Sequence, residues 1–131
     1  MPTIQRFEDL EIWKKARILA KEIYQLTFAE PIAHDFRMKD QIRGSCGSVM
    51  DNIAEGFERA SRLEFVNCLS ISKGELGELK SQLYRALDVN YINEIIFQEL
   101  YAKANELTKM ITSFIAYLNK SDIKGQKFKN R

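Results

Sequence analysis

The chain has 131 residues, 45% hydrophobic and 29% charged, with a formal net charge of +2. That suffices for one domain with a real core and is too little for two, in the composition range of soluble globular proteins. No run of about 18 apolar residues occurs, which excludes a membrane-spanning helix. The opening Met1-Pro2-Thr3-Ile4-Gln5-Arg6-Phe7-Glu8-Asp9 carries charge early and has no apolar signal region, so a cytoplasmic protein is expected. Cys46 and Cys68 are spaced like neither a CxxC pair nor a zinc knuckle and are expected to be reduced core thiols. The charge is uneven. Lys120, Lys124, Lys127, Lys129 and Arg131 stand against Asp122, a net +4 that leaves −2 for residues 1–118.

Residues 1–8 read as an extended lead-in to a first helix over about 9–28. There Ile12, Ala16, Leu19, Ile23 and Leu26 recur at helical spacing. Ala29-Glu30-Pro31 ends it, because proline disfavours helix in the residue before it. A second helix, about 35–57, carries Ile42, Cys46, Val49 and Ile53 on its apolar seam. Its middle, Gly44-Ser45-Cys46-Gly47-Ser48, is poor helix sequence, each glycine costing about 1 kcal/mol relative to alanine. Close approach of a neighbouring helix explains the small residues; a break at Gly44–Gly47 is the alternative. The stretch Asp51-Asn52-Ile53-Ala54-Glu55-Gly56-Phe57-Glu58-Arg59 then reads as a helix end, with Gly56 and Arg59 suited to a helix C-terminus. Ser61 with Glu64 forms a capping-box pattern that opens a third helix, about 62–87. Its seam of Phe65, Leu69, Ser72, Leu76, Leu79, Leu83 and Ala86 is an unbroken heptad pattern. Asn90 is the candidate left-handed residue of the next turn, and Asn93 the cap of a fourth helix, about 93–118. Residues 119–131 read as a flexible basic tail. Four long helices with short joins predict an all-α, antiparallel up-down-up-down four-helix bundle over residues 1–118.

Catalytic chemistry finds little support. Gly44-Ser45-Cys46-Gly47-Ser48 has no preceding strand to make a nucleophile elbow, and His34, the sole histidine, lies in the loop before the same helix. Glu55, Glu58, Glu75 and Glu78 offer oxygen ligands without the Glu-x-x-His pairs of di-iron bundles. No phosphate loop or dinucleotide fingerprint occurs, so neither a cofactor, a metal nor a small-molecule substrate is expected. Two polar stripes remain: Asn52, Glu55 and Arg59 on the second helix, and Glu75, Glu78, Gln82 and Arg85 on the third. They read either as solvated faces or as a polar surface turned to a subunit or ligand, with Asn52 and Gln82 as its hydrogen-bonding groups.

The residues also carry a family likeness. It runs from Phe7-Glu8-Asp9-Leu10 and Trp13 through Asp40-Gln41-Ile42-Arg43 to Ser48-Val49 and Asn52-Ile53-Ala54-Glu55-Gly56, with Arg59 and Ser61. It continues through Glu64-Phe65, Lys73-Gly74, Glu78-Leu79 and Gln82-Leu83 to Tyr91-Ile92. The chain resembles the small four-helix-bundle proteins first noticed as products of intervening sequences in bacterial 23S rRNA genes. The resemblance implies a bundle that assembles into a ring, a homopentamer, without enzymatic activity. A similar protein accompanies the reverse transcriptase of diversity-generating retroelements, where a basic ring binds nucleic acid.

The expected function is therefore a non-enzymatic, oligomeric bundle that binds RNA or a ribonucleoprotein partner through charge sorted by assembly. Arg43, Arg59, Arg62, Lys73, Lys80 and Arg85 are the candidate recruiting surface, assisted by Lys120, Lys124, Lys127 and Lys129; Asn52, Glu55, Glu78 and Gln82 are the polar residues of the family motif. The rival is a protein–protein adaptor that touches no nucleic acid. Aromatics such as Trp13, Tyr24 and Tyr84, which one core has trouble holding, add to the expectation of self-assembly.

Overall fold

The structure, a computed structural model, describes residues 4–124 of the chain, with side chains described as far as Lys120. It contains four long helices: α1 (Glu11–Thr27), α2 (Phe36–Glu58), α3 (Arg62–Asp88) and α4 (Glu94–Lys124). Each packs on its sequence neighbours, and α4 closes on α1. The result is an all-α, antiparallel four-helix bundle with no strand among the described residues. The heptad positions supply the core: Ile23, Ile42, Ile53, Leu69, Leu83 and Ile111 are all fully buried.

Several ends differ from the sequence reading for local reasons. Phe7–Asp9 form a 3-10 turn rather than an extended lead-in. Phe7 packs edge-on against Trp13, ring centroids 5.1 Å apart, and that contact folds the lead-in onto α1. Helix α2 runs unbroken through Gly44 and Gly47 and begins on Asp35, whose Oδ1 accepts from the Met38 N–H at 3.1 Å. The Tyr91 hydroxyl donates to the other Asp35 oxygen at 2.8 Å, tying the α3–α4 turn to the start of α2. These two bonds, the cap first, hold the Asp35 carboxyl below its usual range. Asn93 caps α4 by accepting from the Ile96 N–H at 2.8 Å. Helix α4 continues past Leu118 to Lys124, because no helix-breaking residue stands before Gly125. The flexible tail expected at 119 therefore has its first six residues in helix, and the remainder lies outside the described residues.

The α2–α3 corner differs most from its sequence reading. Gly56 is helical and buried, two residues before the end of α2, and the left-handed residue is Ala60, φ 55°. What Gly56 supplies is space. A Cβ there would lie 2.7 Å from Cys68 Cβ and 2.9 Å from Phe65 Cδ1, so α2 and α3 touch at this level almost backbone to backbone. Phe57, Phe65 and Phe114 surround the contact edge-on, with centroids 6.0 and 5.6 Å apart. Ser61 caps α3 by accepting from the Glu64 N–H at 3.3 Å. The Glu64 carboxylate does not return the bond as a capping box requires; it takes Arg59 at 2.9 Å instead.

Two substitutions separate these roles. Gly56→Ala should lower stability by about 1–3 kcal/mol through overpacking. Ala60→Gly should raise it by up to about 1 kcal/mol by relieving the left-handed penalty. Urea denaturation measures both, and opposite signs at these two neighbouring small residues are the expected result.

Candidate functional site

The hairpin register brings the two polar stripes together. Starting from Gly56 against Phe65 and Cys68, the Ser72 hydroxyl donates to the Val49 carbonyl at 2.9 Å. Further along, the Ser45 hydroxyl donates to Glu78 Oε1 at 3.3 Å, and Gln82 Nε2 donates to the Gln41 carbonyl at 3.4 Å. Near the far end Arg85 Nη1 donates to Gln41 Oε1 at 3.2 Å. Each step along α2 away from the corner thus meets an equal step along α3. The seam so formed is lined by Gln41, Ser45, Glu78, Gln82 and Arg85.

Its centre is unusual in two ways. Gln82 is only 3% exposed, and its Oε1 has no hydrogen-bond partner, although its Nε2 also reaches Glu78 Oε1 at 3.4 Å. The Gln41 carbonyl can only accept, which sets the amide the way round that leaves Oε1 unmatched. Beside it Glu75 and Glu78 lie one turn apart, and among the described residues no lysine or arginine pairs with either. Partial burial, then the neighbouring Glu78 charge, push the Glu75 carboxyl above its ordinary value. The outer faces of both helices carry glycines that no part of the chain approaches. Gly44, Gly47, Gly74 and Gly77 all have open space where a Cβ would be. The close approach of a neighbouring helix expected at Gly44 and Gly47 is therefore not found; it occurs at Gly56 instead.

The motif residues divide between this seam and other duties. Asn52 turns its Nδ2 to Ser48 Oγ and the Ser48 carbonyl, both within α2, at 3.0 and 2.9 Å. Glu55 pairs with Arg59. Glu78 and Gln82 sit in the seam itself. Sequence reading placed Ser72 among apolar heptad positions and left Gln41 and Ser45 without a role. Their signal is the hairpin register, visible only once Gly56 is recognised as the point of closest approach.

The candidate cations do not form one surface. Arg43 lies on the α1 side, its guanidinium 4.6 Å from the Tyr24 ring and 5.0 Å from Phe28, with Nε donating to Thr27 Oγ1 at 2.8 Å. Arg59 is held between Glu55 and Glu64, which keeps its guanidinium firmly protonated. Arg62 reaches Asn119 at 2.9 Å, and Lys80 reaches Asn105 at 3.2 Å on the α4 side. Lys73 and Lys120 are exposed on α3 and α4. Lys124 ends α4, while Lys127 and Lys129 lie outside the described residues.

Other features carry less chemistry. The Cys46 thiol is buried, donates to the Arg43 carbonyl at 3.3 Å, and is pushed by burial up to about 11, where it is no ready nucleophile. Cys68 is likewise a buried free thiol. His34 pairs with Glu30 in the α1–α2 connection. No group of three or more acidic, histidine or cysteine residues could hold a metal among the described residues. An open apolar groove of about 590 Å³ runs between the start of α1 and α4, lined by Leu10, Met110, Phe114 and Tyr117. No described helix is long and apolar enough to cross a membrane.

Comparison with known proteins agrees with this architecture. A family model described as 23S rRNA-intervening sequence protein matches residues 8–113. The chain belongs to that family. A solved structure from Bacteroides thetaiotaomicron, a protein of unknown function from the S23 ribosomal protein family, is 27% identical with a TM-score of 0.73. The match covers 79% of this chain and 97% of that one. No curated protein matches. The intervening-sequence family match spans α1, α2 and α3 in full together with most of α4, so the α2–α3 seam lies wholly within it.

The seam's inner bond can be tested directly. Ser72→Ala should cost about 1 kcal/mol, the usual net worth of a buried hydrogen bond, since the Val49 carbonyl keeps its helical partner. Thermal unfolding would show it, and an unchanged midpoint would remove Ser72 from the register.

Proposed function

We propose that this intervening-sequence family member is a non-enzymatic, oligomeric helical-bundle protein of the cytoplasm that works by binding, as a protein–protein adaptor or scaffold. One observation carries the reading: along the α2–α3 seam Glu75 and Glu78 lie one turn apart at the surface with no lysine or arginine paired to either. Neighbouring carboxylates repel one another, and a partner surface that brings a cation to them relieves that repulsion. The raised thiol of Cys46 and the distant, solvent-exposed His34 support binding over catalysis. The half-exposed Tyr24 and Tyr84 and the partly buried Trp13, which one core leaves at its edge, support self-assembly; the family resemblance points to a homopentamer.

RNA or a ribonucleoprotein partner is the second reading. The run of lysines at 120, 124, 127 and 129 favours it, as does the family's 23S rRNA association. Against it stands the engagement of Arg43, Arg59, Arg62 and Arg85 within the chain.

Fluorescent structured RNA titrated with the full chain, at low and at physiological salt, separates the two. The adaptor reading expects no saturable binding even at low salt. Tight binding that weakens steeply with salt, through counterion release, would put the RNA reading ahead. Replacing the four lysines by glutamine then tells tail from body. Sedimentation equilibrium at micromolar concentration should give a multiple of the chain mass, and a single-chain mass would end the oligomeric reading.

A further inference from the structure

The open groove of about 590 Å³ between the start of α1 and α4 has a lining of two kinds. Its apolar part is Leu10, Met110, Phe114 and Tyr117, with the last two rings stacked 5.9 Å apart and 9° from parallel. Its polar part is acidic: the exposed Asp9, Glu11 and Glu106 stand against one lining cation, Lys109. Glu11 and Glu106 make only surface pairs with Lys14 and Lys15, at 3.4 and 3.8 Å, so both carboxylates stay open to a further cation. What fits such a groove is an aromatic side chain with positive charge on either side.

The chain supplies that chemistry close by. Gly125-Gln126-Lys127-Phe128-Lys129-Asn130-Arg131 follows α4 directly, one aromatic among three cations. These seven residues lie outside the described ones, but their reach can be set against the groove. Helix α4 runs antiparallel to α1, so its later turns pass the start of α1 on the groove side. Lys124 stands about 10 Å along the helix beyond Tyr117 and about 21 Å beyond Met110. An extended chain covers about 3.3 Å per residue. Turned back at Gly125, it brings Phe128 level with Phe114 and Tyr117 after about 13 Å, and Arg131 level with Met110 after about 23 Å. Glycine just past a helix is the residue type that reverses a chain at least cost.

We propose that the segment 125–131 docks in the α1–α4 groove of its own chain, with the Phe128 ring on Phe114 and Tyr117 and with Lys127, Lys129 and Arg131 beside Asp9, Glu11 and Glu106. The groove is then a binding site for a basic segment carrying one aromatic ring, and the tail is its occupant. The tail cations are engaged by the chain's own carboxylates, as Arg59 is at the α2–α3 corner. This goes beyond the binding reading above and holds whatever the oligomeric state.

Methionine-methyl NMR of the full chain tests it. Met110 is the one methionine lining the groove, and Met38, at the other end of the bundle near the start of α2, is the reference. Phe128→Ser should move the Met110 signal and leave Met38 in place. Lys127→Glu/Lys129→Glu should move Met110 to the same position, because the groove left empty is the same. A Met110 signal that is identical in the unaltered chain and both variants overturns the docking. A shift with Phe128→Ser alone overturns the charge pairing. Isotope-labelled Phe128→Ser chain mixed with unlabelled unaltered chain should keep its displaced Met110 signal. Return of that signal on mixing would make the occupant a second copy's tail and overturn docking within one chain.

Discussion

The structure hangs on the contact at Gly56. With no side chain there, the last turn of α2 comes against Cys68 and Phe65, and no other residue type fits the gap without moving backbone. A close approach at one end of a helical hairpin sets the pairing of every residue beyond it, because both helices advance by the same rise per residue. Val49 therefore meets Ser72, Ser45 meets Glu78, and Gln41 meets Gln82 and Arg85. The polar seam is a geometric consequence of the corner.

This explains what was legible in the sequence and what was not. Helix existence is written in the apolar spacing of each segment, and the caps at Ser61 and Asn93 are local signals that survive into the structure. The left-handed turn at Asn90 was legible for the same reason. Ala60 was not, since nothing about an alanine announces a positive φ and the hairpin imposes it from outside. Gly56 stands out in the sequence, but as a helix terminator, which it is not. A glycine near a helix end looks the same whether it supplies conformational freedom or room. The seam lay furthest from view because it joins residues from two helices whose offset no single-helix pattern contains.

Charge was the least legible property. Arg43, Arg59, Arg62, Lys80 and Arg85 cluster along two consecutive helices, which in sequence suggests one basic face. In the fold they point at α1, at the corner, at α4 and at Gln41, each occupied by a ring, a carboxylate or an amide. An arginine stacked on Tyr24 and Phe28 fastens α2 to α1, a role its flat, weakly hydrated guanidinium suits. Linear clustering of cations predicts a patch only where the helix face that bears them is free.

The polar groups of the seam also bear on why the hairpin has one register. The apolar heptads of the two helices would by themselves tolerate a slip of one turn, since each apolar residue would find another to pack on. Ser72 would not. Moved one turn from Val49 its buried hydroxyl would lose its acceptor, and Ser45 and Gln82 would leave Glu78 and the Gln41 carbonyl at the same moment. Buried polar groups of this kind are neutral or unfavourable for stability and act against the wrong alternatives, as a single asparagine does in a coiled coil. In this bundle the apolar positions make α2 and α3 pair, Gly56 sets where they touch, and the serines and Gln82 penalise every other alignment. A seam built on so strict a register holds Glu75 and Glu78 in one arrangement only.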